Sequence, residues 1–287
     1  MSRAAQAPGP LLVGKAALVT GAGAGIGRGI AEAFAAHGAA VAMVDVDPAR
    51  LREGAAAVDE AAGATDAGGR ALPLEADVRD AEAVERVVAA TGAELGAVDV
   101  LVNNVGHFLP VTPFLESDDE TWRALYEINL AHVFRVTRAV LPGMIDRAAG
   151  GSIINVSTVE AFRGIPHHPV YAACKAGVTQ FSKSLALDVG GHGIRVNDIA
   201  PDVTRSEQLP YERWLTPDDE ARIPTWVPLG RLGEPADAAG VALFLASDLG
   251  AFVTGTTIHC DGGTLAAGGW YRTTHGPRPW TNRPLDP

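Results

Sequence analysis

Residues 16–27 read Ala-Ala-Leu-Val-Thr-Gly-Ala-Gly-Ala-Gly-Ile-Gly, an apolar run that passes directly into closely spaced glycines. The apolar part predicts a strand, and the pattern that follows predicts a helix. Gly21, Gly25 and Gly27 allow a tight turn and a close approach of the backbone, including that of Ile26, to a pyrophosphate at the helix start. A glycine-rich turn without a ligand is the alternative interpretation.

The rest of the chain repeats this order of strand and helix. Further strands are predicted at residues 40–45, 71–76, 98–103, 152–157, 194–199 and 256–260. Helical patterns begin near Ile26, Ala49, Ala81, Asp119, Val170 and Pro235. Because the strands are apolar throughout and alternate with helices, we predict an α/β fold of the Rossmann type. It is a doubly wound seven-stranded parallel sheet with helices on both faces.

No internal repeat or change of composition divides the chain, so we predict one domain over residues 11–263. Residues 1–10 are expected to form a flexible tail. Residues 202–233 contain several prolines and aromatic residues and are predicted to be a lid-like loop. Residues 264–287 form a C-terminal extension.

Composition excludes several classes of protein. The net charge of −11 argues against a nucleic-acid partner, which would need a basic surface. No apolar run has the length of a membrane span, and residues 1–10 lack the features of a signal peptide. Two cysteines, Cys174 and Cys260, suggest neither a metal site nor a disulfide framework. We therefore expect a cytoplasmic protein without a metal.

Asp45 ends the second predicted strand, where a carboxylate can accept hydrogen bonds from the ribose hydroxyls of a bound adenosine. A 2′-phosphate there would be repelled, and neither Ala22 nor Val46 offers a compensating cation. The residues therefore favour NAD over NADP. Asp77, at the end of the third strand, is a candidate for the adenine edge. Each aspartate has a second interpretation as a cap for the following helix.

Tyr171 and Lys175 are four residues apart, which places them on one face of a helix. An ammonium about 4 Å from a phenol, at an effective dielectric constant near 20, favours the phenolate by about 4 kcal/mol. That would lower the tyrosine pKa by about three units. The pair is therefore predicted to act as an acid and base.

Taken together, the motifs resemble the short-chain dehydrogenase/reductase family over about residues 12–263. They are the glycine turn, Tyr-x-x-x-Lys at 171–175, Asn-Asn-x-Gly at 103–106, Asn129 in Glu-Ile-Asn-Leu, Arg-Val-Asn at 195–197 and Val-Thr-Gly-Thr-Thr-Ile-His-Cys-Asp-Gly-Gly at 253–263. The resemblance implies an oxidoreductase, a Rossmann fold and a homotetramer built on helix faces that include the catalytic helix.

The resemblance also implies roles for particular residues. Tyr171 is similar to the proton donor and acceptor, and Lys175 to the lysine that holds the nicotinamide ribose. Asn129 resembles the asparagine that holds a water in a proton relay; without the resemblance it would be a structural asparagine. The positions that match nucleotide contacts are Asp77, Val78, Asn103 and Gly106.

Two departures from the family pattern affect the site. The substrate-orienting serine of the family lies thirteen residues before the tyrosine, where this chain has Thr158. We assign the role to Thr158, with Ser157 as the alternative. Asp202 replaces a glycine after Pro201 and restricts the backbone. Candidates for the contact to the nicotinamide amide are Val203, Thr204 and Ser206.

These residues predict an NAD-dependent enzyme that interconverts a secondary alcohol and a ketone by hydride transfer. Aromatic residues of the lid-like loop suggest a bulky apolar or cyclic substrate. Candidates for the substrate pocket are His107, Phe108, Glu160, Phe162, His168 and Trp214. The alternatives are an NADPH-dependent ketone reductase of the same fold and a noncatalytic dinucleotide-binding protein.

Overall fold

A single parallel sheet forms the centre of the protein. The computed structural model describes residues 9–108, 112–273 and 280–281. The sheet consists of β1 (Ala16–Thr20), β2 (Ala40–Asp45), β3 (Arg70–Glu75), β4 (Val100–Asn103), β5 (Gly151–Val156), β6 (Ile194–Pro201) and β7 (Thr257–Cys260). Their order is β3-β2-β1-β4-β5-β6-β7, and every neighbouring pair is parallel. The predicted doubly wound fold is therefore confirmed.

Helices cover both faces of the sheet. They are α1 (Gly25–Ala36), α2 (Pro48–Gly63), α3 (Ala81–Leu95), α4 (Asp119–Tyr126), α5 (His132–Arg147), α6 (Pro169–Val189), α7 (Tyr211–Trp214), α8 (Pro217–Trp226), α9 (Pro235–Ala246) and α10 (Thr264–Ala267). One face is packed by α1, α2 and α9 through Phe34, Val58 and Leu245. The other is packed by α3, α5 and α6 through Val87 and Met144, among others. Two buried layers result, as the continuous apolar strands require.

The sequence pattern did not predict every element. It marked one helix from Asp119, whereas the structure has α4 and α5 joined by a π-helical turn, Glu127–Ala131. The lid-like segment contains α7 and α8 around a small core of Ile223, Val227 and Leu232. In the C-terminal extension, β8 (Tyr271–Arg272) pairs antiparallel with β9 (Trp280–Thr281). Residues 1–8 of the predicted tail, and residues 274–279 and 282–287 of the extension, lie outside the described residues.

The described residues lack two further features. None of the helices they form combines the length and the apolar character needed to cross a membrane. The same part of the chain holds no group of three or more side chains that could ligate a metal.

A row of polar side chains, buried except for the half-buried Thr257, crosses four neighbouring strands of the sheet. Asn103, Asn155, Asp198 and Thr257 are consecutive partners in the register of β4, β5, β6 and β7. Asn103 donates to Asn155 over 2.8 Å, and Thr257 donates to Asp198 over 3.2 Å. Ser182 of α6 donates to the other oxygen of Asp198. Burial raises the pKa of Asp198 to about 7, although these hydrogen bonds act in the opposite direction.

This pKa predicts a dependence of stability on pH. Between about pH 4 and pH 7 the folded protein holds a proton on Asp198 that the unfolded chain has lost, so the contribution of Asp198 to the free energy of unfolding falls as pH rises. We expect Asp198→Asn to stabilise the protein at pH 8 by about 2–4 kcal/mol and to have little effect at pH 4. Urea unfolding at both pH values tests this. An equal change in the free energy of unfolding at pH 4 and pH 8 would contradict the prediction.

Candidate active site

The carboxyl ends of the central strands meet at a cavity of about 480 Å³. This is the position at which parallel α/β sheets bind ligands. The predicted site residues that line it are Gly21, Gly25, Ile26, Asp45, Asp77, Val78, Gly106, His107, Phe108, Ser157, Thr158, Tyr171, Lys175, Thr204 and Ser206. Those that do not line it are Gly27, Asn103, Asn129, Glu160, Phe162, His168, Val203 and Trp214.

The glycine turn between β1 and α1 forms one end of the cavity. Gly21 and Gly25 have φ values of +63° and +55°, in the left-handed region that favours glycine. A Cβ on Gly27 would lie 2.2 Å from the carbonyl oxygen of Gly21, so only glycine permits this packing. The turn places the backbone amides at the start of α1 at the cavity, where they can bind a pyrophosphate, with the side chains of Ser206 and Glu207 close to Gly25.

Asp45 lies at the cavity wall beside this turn. Its two carboxylate oxygens accept hydrogen bonds from the backbone N–H groups of Gly23 and Asp47, each over 3.0 Å. Two backbone donors hold the carboxylate in place, and each oxygen keeps a lone pair for a further donor.

Arg50, in the first turn of α2, also lines the cavity. Its guanidinium lies 3.4 Å from the carboxylate of Asp47, and just over half of its side chain is exposed. Sequence reasoning considered only the neighbours of the glycine turn and of Asp45 in the chain, so it missed this cation. Its position five residues after Asp45, in the first turn of the helix that follows, is the signal in the sequence that could have indicated it.

Asp77 is held by a neighbour that the sequence reasoning did not consider. Arg79 donates from Nε and Nη2 to both carboxylate oxygens over 2.7–3.0 Å. This hydrogen bonding lowers the pKa of Asp77. Because Arg79 also lines the cavity, the nucleotide end presents an ion pair where a lone carboxylate was expected.

The two adjacent asparagines at the end of β4 have different contacts. Asn103 belongs to the buried polar row and donates to Thr137 and Asn155 instead of facing the cavity. Asn104 does line the cavity, and its amide donates to the carbonyl oxygens of Thr20 and Gly21 over 3.0 and 3.1 Å. Asn104 therefore fixes the glycine turn, a function that the sequence motif did not distinguish from that of Asn103.

Asn129 lies in the π-helical turn and is fully buried. Its side chain bonds both backbone groups of His107: Oδ1 accepts from the N–H over 3.0 Å, and Nδ2 donates to the carbonyl over 2.7 Å. A Cβ on Gly106 would lie 2.8 Å from Lys175 Nζ and 3.2 Å from Asn129 Oδ1. The lysine and the asparagine therefore face the same point of the backbone.

Three functional side chains converge where α6 passes the end of β5. Thr158 is close enough to Tyr171 to lower the pKa of its phenol, and its hydroxyl accepts from the backbone N–H of Glu160 over 3.3 Å. Lys175 is buried and donates from Nζ to the carbonyl of Val156 over 2.9 Å. Ser157 points to α6, where its hydroxyl donates to the carbonyl of Lys175 over 3.2 Å and lies 3.1 Å from Thr179 Oγ1. The alternation of side chains along the strand thus places the threonine, and not the serine, beside the phenol.

The pKa values differ from the sequence-based expectation. Burial raises the pKa of Tyr171 to about 12, while the hydrogen bond with Thr158 lowers it and the charge of Glu160 raises it further. Burial lowers the pKa of Lys175 to about 8. The expected drop of about three units was wrong, because the charge of Lys175 is not among the influences that shift the pKa of Tyr171. In the structure, desolvation of the phenol dominates.

Aromatic rings form one wall on the substrate side. His107, Phe108, His168 and Tyr171 are successive ring neighbours, with centroids 5.2, 5.5 and 6.4 Å apart. The remaining pocket candidates have other contacts. Phe162 packs on His259, Trp214 packs on Tyr211 and is half-exposed, Val203 packs against the small core of the lid-like segment, and Glu160 is paired with Arg163.

Comparison with known proteins decides the family. The model of a family described as enoyl-(acyl carrier protein) reductase matches residues 21–264. The 3-oxoacyl-[acyl-carrier-protein] reductase FabG of Vibrio harveyi is 40% identical over 88% of this chain and 98% of its own. The chain belongs to the short-chain dehydrogenase/reductase family. It is therefore an oxidoreductase of a family that binds a nicotinamide dinucleotide, as the cavity geometry suggests.

Other family members are similar to a comparable degree. The 3β-hydroxysteroid dehydrogenase 1 of Eggerthella lenta is 38% identical over 88% of this chain and 94% of its own. The crystal structure of levodione reductase superposes with a TM-score of 0.81 at 34% identity, covering 89% of this chain and 99% of its own. Because relatives with different names are similarly close, identity alone does not select a substrate.

Proposed function

We propose that this enzyme interconverts a secondary alcohol and a ketone with NAD. The observation that carries the proposal is the convergence of Thr158, Tyr171 and buried Lys175 at the cavity, next to the glycine turn. Bound NAD would supply the acceptor for the hydride. A panel of secondary alcohols, read by NADH formation, tests the activity. Tight NADH binding without turnover of any alcohol or ketone would instead favour a noncatalytic dinucleotide-binding protein.

In the proposed reaction the chain's own residues orient the substrate and move the proton. Tyr171 accepts the proton of the alcohol in oxidation and returns it in reduction. The hydroxyl of Thr158 donates a hydrogen bond to the substrate oxygen. Lys175 holds a buried ammonium at the cavity, where it would donate to the nicotinamide ribose of bound NAD.

Asn129 completes the proposed proton path. Its Oδ1 accepts one hydrogen bond, from His107, and retains a lone pair for a water. Because a Cβ on Gly106 would contact both this oxygen and Lys175 Nζ, one water could bond the two atoms. The same asparagine holds the backbone of His107, so it also keeps the loop after β4 against the cavity.

The nucleotide end supports NAD over NADP. Asp45 has its carboxylate fixed by Gly23 and Asp47, with lone pairs left for the ribose hydroxyls. A 2′-phosphate would be repelled by this carboxylate. Arg50 opposes that preference, but its guanidinium already lies beside Asp47 and is largely exposed, which weakens its field.

We expect the wild-type enzyme to use NAD+ at least about tenfold better than NADP+, measured as kcat/KM, since a single unfavourable charge contact has that size. Asp45→Asn removes the repulsion and is expected to reduce the ratio about tenfold. Arg50→Gln is the matched control and is expected to raise it. Equal use of both cofactors by the wild type would favour the NADPH-dependent ketone reductase.

The substrate side supports a bulky apolar or cyclic alcohol. The rings of His107, Phe108 and His168 provide an aromatic surface beside Tyr171. One relative is a 3β-hydroxysteroid dehydrogenase, whose name describes an alcohol on a fused ring system. Cyclic alcohols should therefore be tested first.

Assembly and location belong to the same proposal. Phe134 of α5 and Phe181 of α6 pack with centroids 4.7 Å apart and border a surface groove that is largely apolar. Such a face is suited to contact between copies of the chain, which supports the expected homotetramer. Light scattering measures the mass of the assembly. A cytoplasmic location agrees with the two free cysteines, Cys174 and Cys260.

A further inference from the structure

Asp202 occupies an unusual position next to the reacting groups. It follows Pro201 at the end of β6, and it lines the cavity together with Thr158 and Tyr171. Its side chain is only 8% exposed. A carboxylate that is so deeply buried at the cavity needs fixed partners.

Asp202 is fixed by residues from two other parts of the chain. Arg163, in the loop after β5, donates to Asp202 Oδ2 over 2.9 Å. Thr264, the first residue of α10, donates to the same oxygen. Because both contacts fall on Oδ2, Oδ1 remains as an acceptor for a further donor.

The charges around this position do not cancel. Arg163 also donates to Glu160 over 3.0 Å, so two carboxylates share one guanidinium. Burial is the main cause of the raised pKa values of Tyr171 and Tyr211, and the charges add to it: Glu160 at Tyr171, and both carboxylates at Tyr211. The group formed by Glu160, Arg163 and Asp202 therefore carries a net negative charge.

We propose that Asp202, held by Arg163 and Thr264, is a specificity-determining residue that selects neutral alcohols with a second hydroxyl group and rejects anionic ones. This inference rests on the proposed function. The second hydroxyl donates to Oδ1, while an anionic group meets the unbalanced carboxylates. The aromatic wall holds the carbon skeleton, so the preferred substrate is a cyclic diol or related polyol. Substrates tethered to an acidic carrier are disfavoured.

A matched series of probes tests the proposal: cyclohexanol, cyclohexane-1,2-diol and 2-hydroxycyclohexane-carboxylate. We expect kcat/KM to follow the order diol, monool, hydroxy acid, with each step about tenfold, the usual size of one charged contact. Asp202→Asn keeps the shape of the side chain but removes its charge. It should reduce the kcat/KM ratio of diol to monool, and that of monool to hydroxy acid, at least fivefold. Asp218→Asn, which removes the same charge from an exposed position on α8, should leave both steps unchanged.

A second variant acts in the opposite direction. Arg163→Gln removes the only guanidinium that pairs with Glu160 and Asp202 among the described residues, and it should increase rejection of the hydroxy acid. Binding of the probes to the NADH-loaded enzyme, measured by calorimetry, provides the same ratios without turnover. A failure of the proposed function can then be distinguished from a failure of this proposal, because turnover would be absent while the binding ratios could still be measured. If both variants fold and their ratios between the three probes stay within twofold of the wild-type ratios, the proposal is overturned.

Discussion

Tyr171→Phe is expected to lower turnover about a thousandfold, because the variant loses the group that we propose exchanges a proton with the substrate oxygen. Phenylalanine keeps the ring and its packing against His168, so the fold should be unaffected. NADH binding should remain within a few-fold of the wild type, since the glycine turn and Asp45 are untouched. Steady-state kinetics and a fluorescence titration with NADH measure the two effects.

Comparison with Thr158→Val separates the roles of the two hydroxyls. That variant removes the hydroxyl that lowers the pKa of Tyr171 but keeps the volume of the side chain. Its loss of turnover should be smaller, because the phenol can still transfer the proton. If Tyr171→Phe retained most of its activity, the assignment of the acid and base would be wrong.

Gly27→Ala has the second large expected effect. The new Cβ would lie 2.2 Å from the carbonyl oxygen of Gly21 and 2.5 Å from the amide of Asn104, so the turn between β1 and α1 must open. We expect NADH affinity to fall about a hundredfold and the free energy of unfolding to fall by about 1–3 kcal/mol. Calorimetric NADH titration and urea unfolding measure both.

Gly92→Ala is the matched control. Gly92 lies in α3 with no atom within 4 Å of the position of a Cβ. The same substitution there should leave NADH affinity unchanged and stabilise the protein by about 0.5–1 kcal/mol through helix propensity. Unaltered NADH affinity in Gly27→Ala would show that the glycine turn does not hold the dinucleotide as proposed.

The parts of the fold that follow from local patterns were predictable. Each strand of the central sheet was found within about two residues of its predicted position, because an apolar run between turn residues is a local signal. The division between α4 and α5 was missed, since the π-helical turn around Asn129 does not interrupt the helical pattern. The helices α7 and α8 were missed because prolines indicated a loop, although proline is accepted in the first turn of a helix.

Parts of the site that depend on distant contacts were not predictable. The pairing of Asp77 with Arg79 is not of this kind: Arg79 lies two residues further along the chain and donates to both carboxylate oxygens, so this local contact could have been predicted. Arg163 and Asp202 are 39 residues apart, and their ion pair forms only because the loops after β5 and β6 are neighbours in the sheet. Spacing along the chain does not reveal such a pair.

The sequence by itself determined the Rossmann architecture, the glycine turn and the helical spacing of Tyr171 and Lys175. Each depends on backbone preferences over a few residues. Only the tertiary structure decided that Thr158 meets the phenol while Ser157 bonds α6, and that burial raises the pKa of Tyr171 to about 12. Hydrogen-bond partners and desolvation depend on what surrounds a group in space, which residues far away in the chain supply.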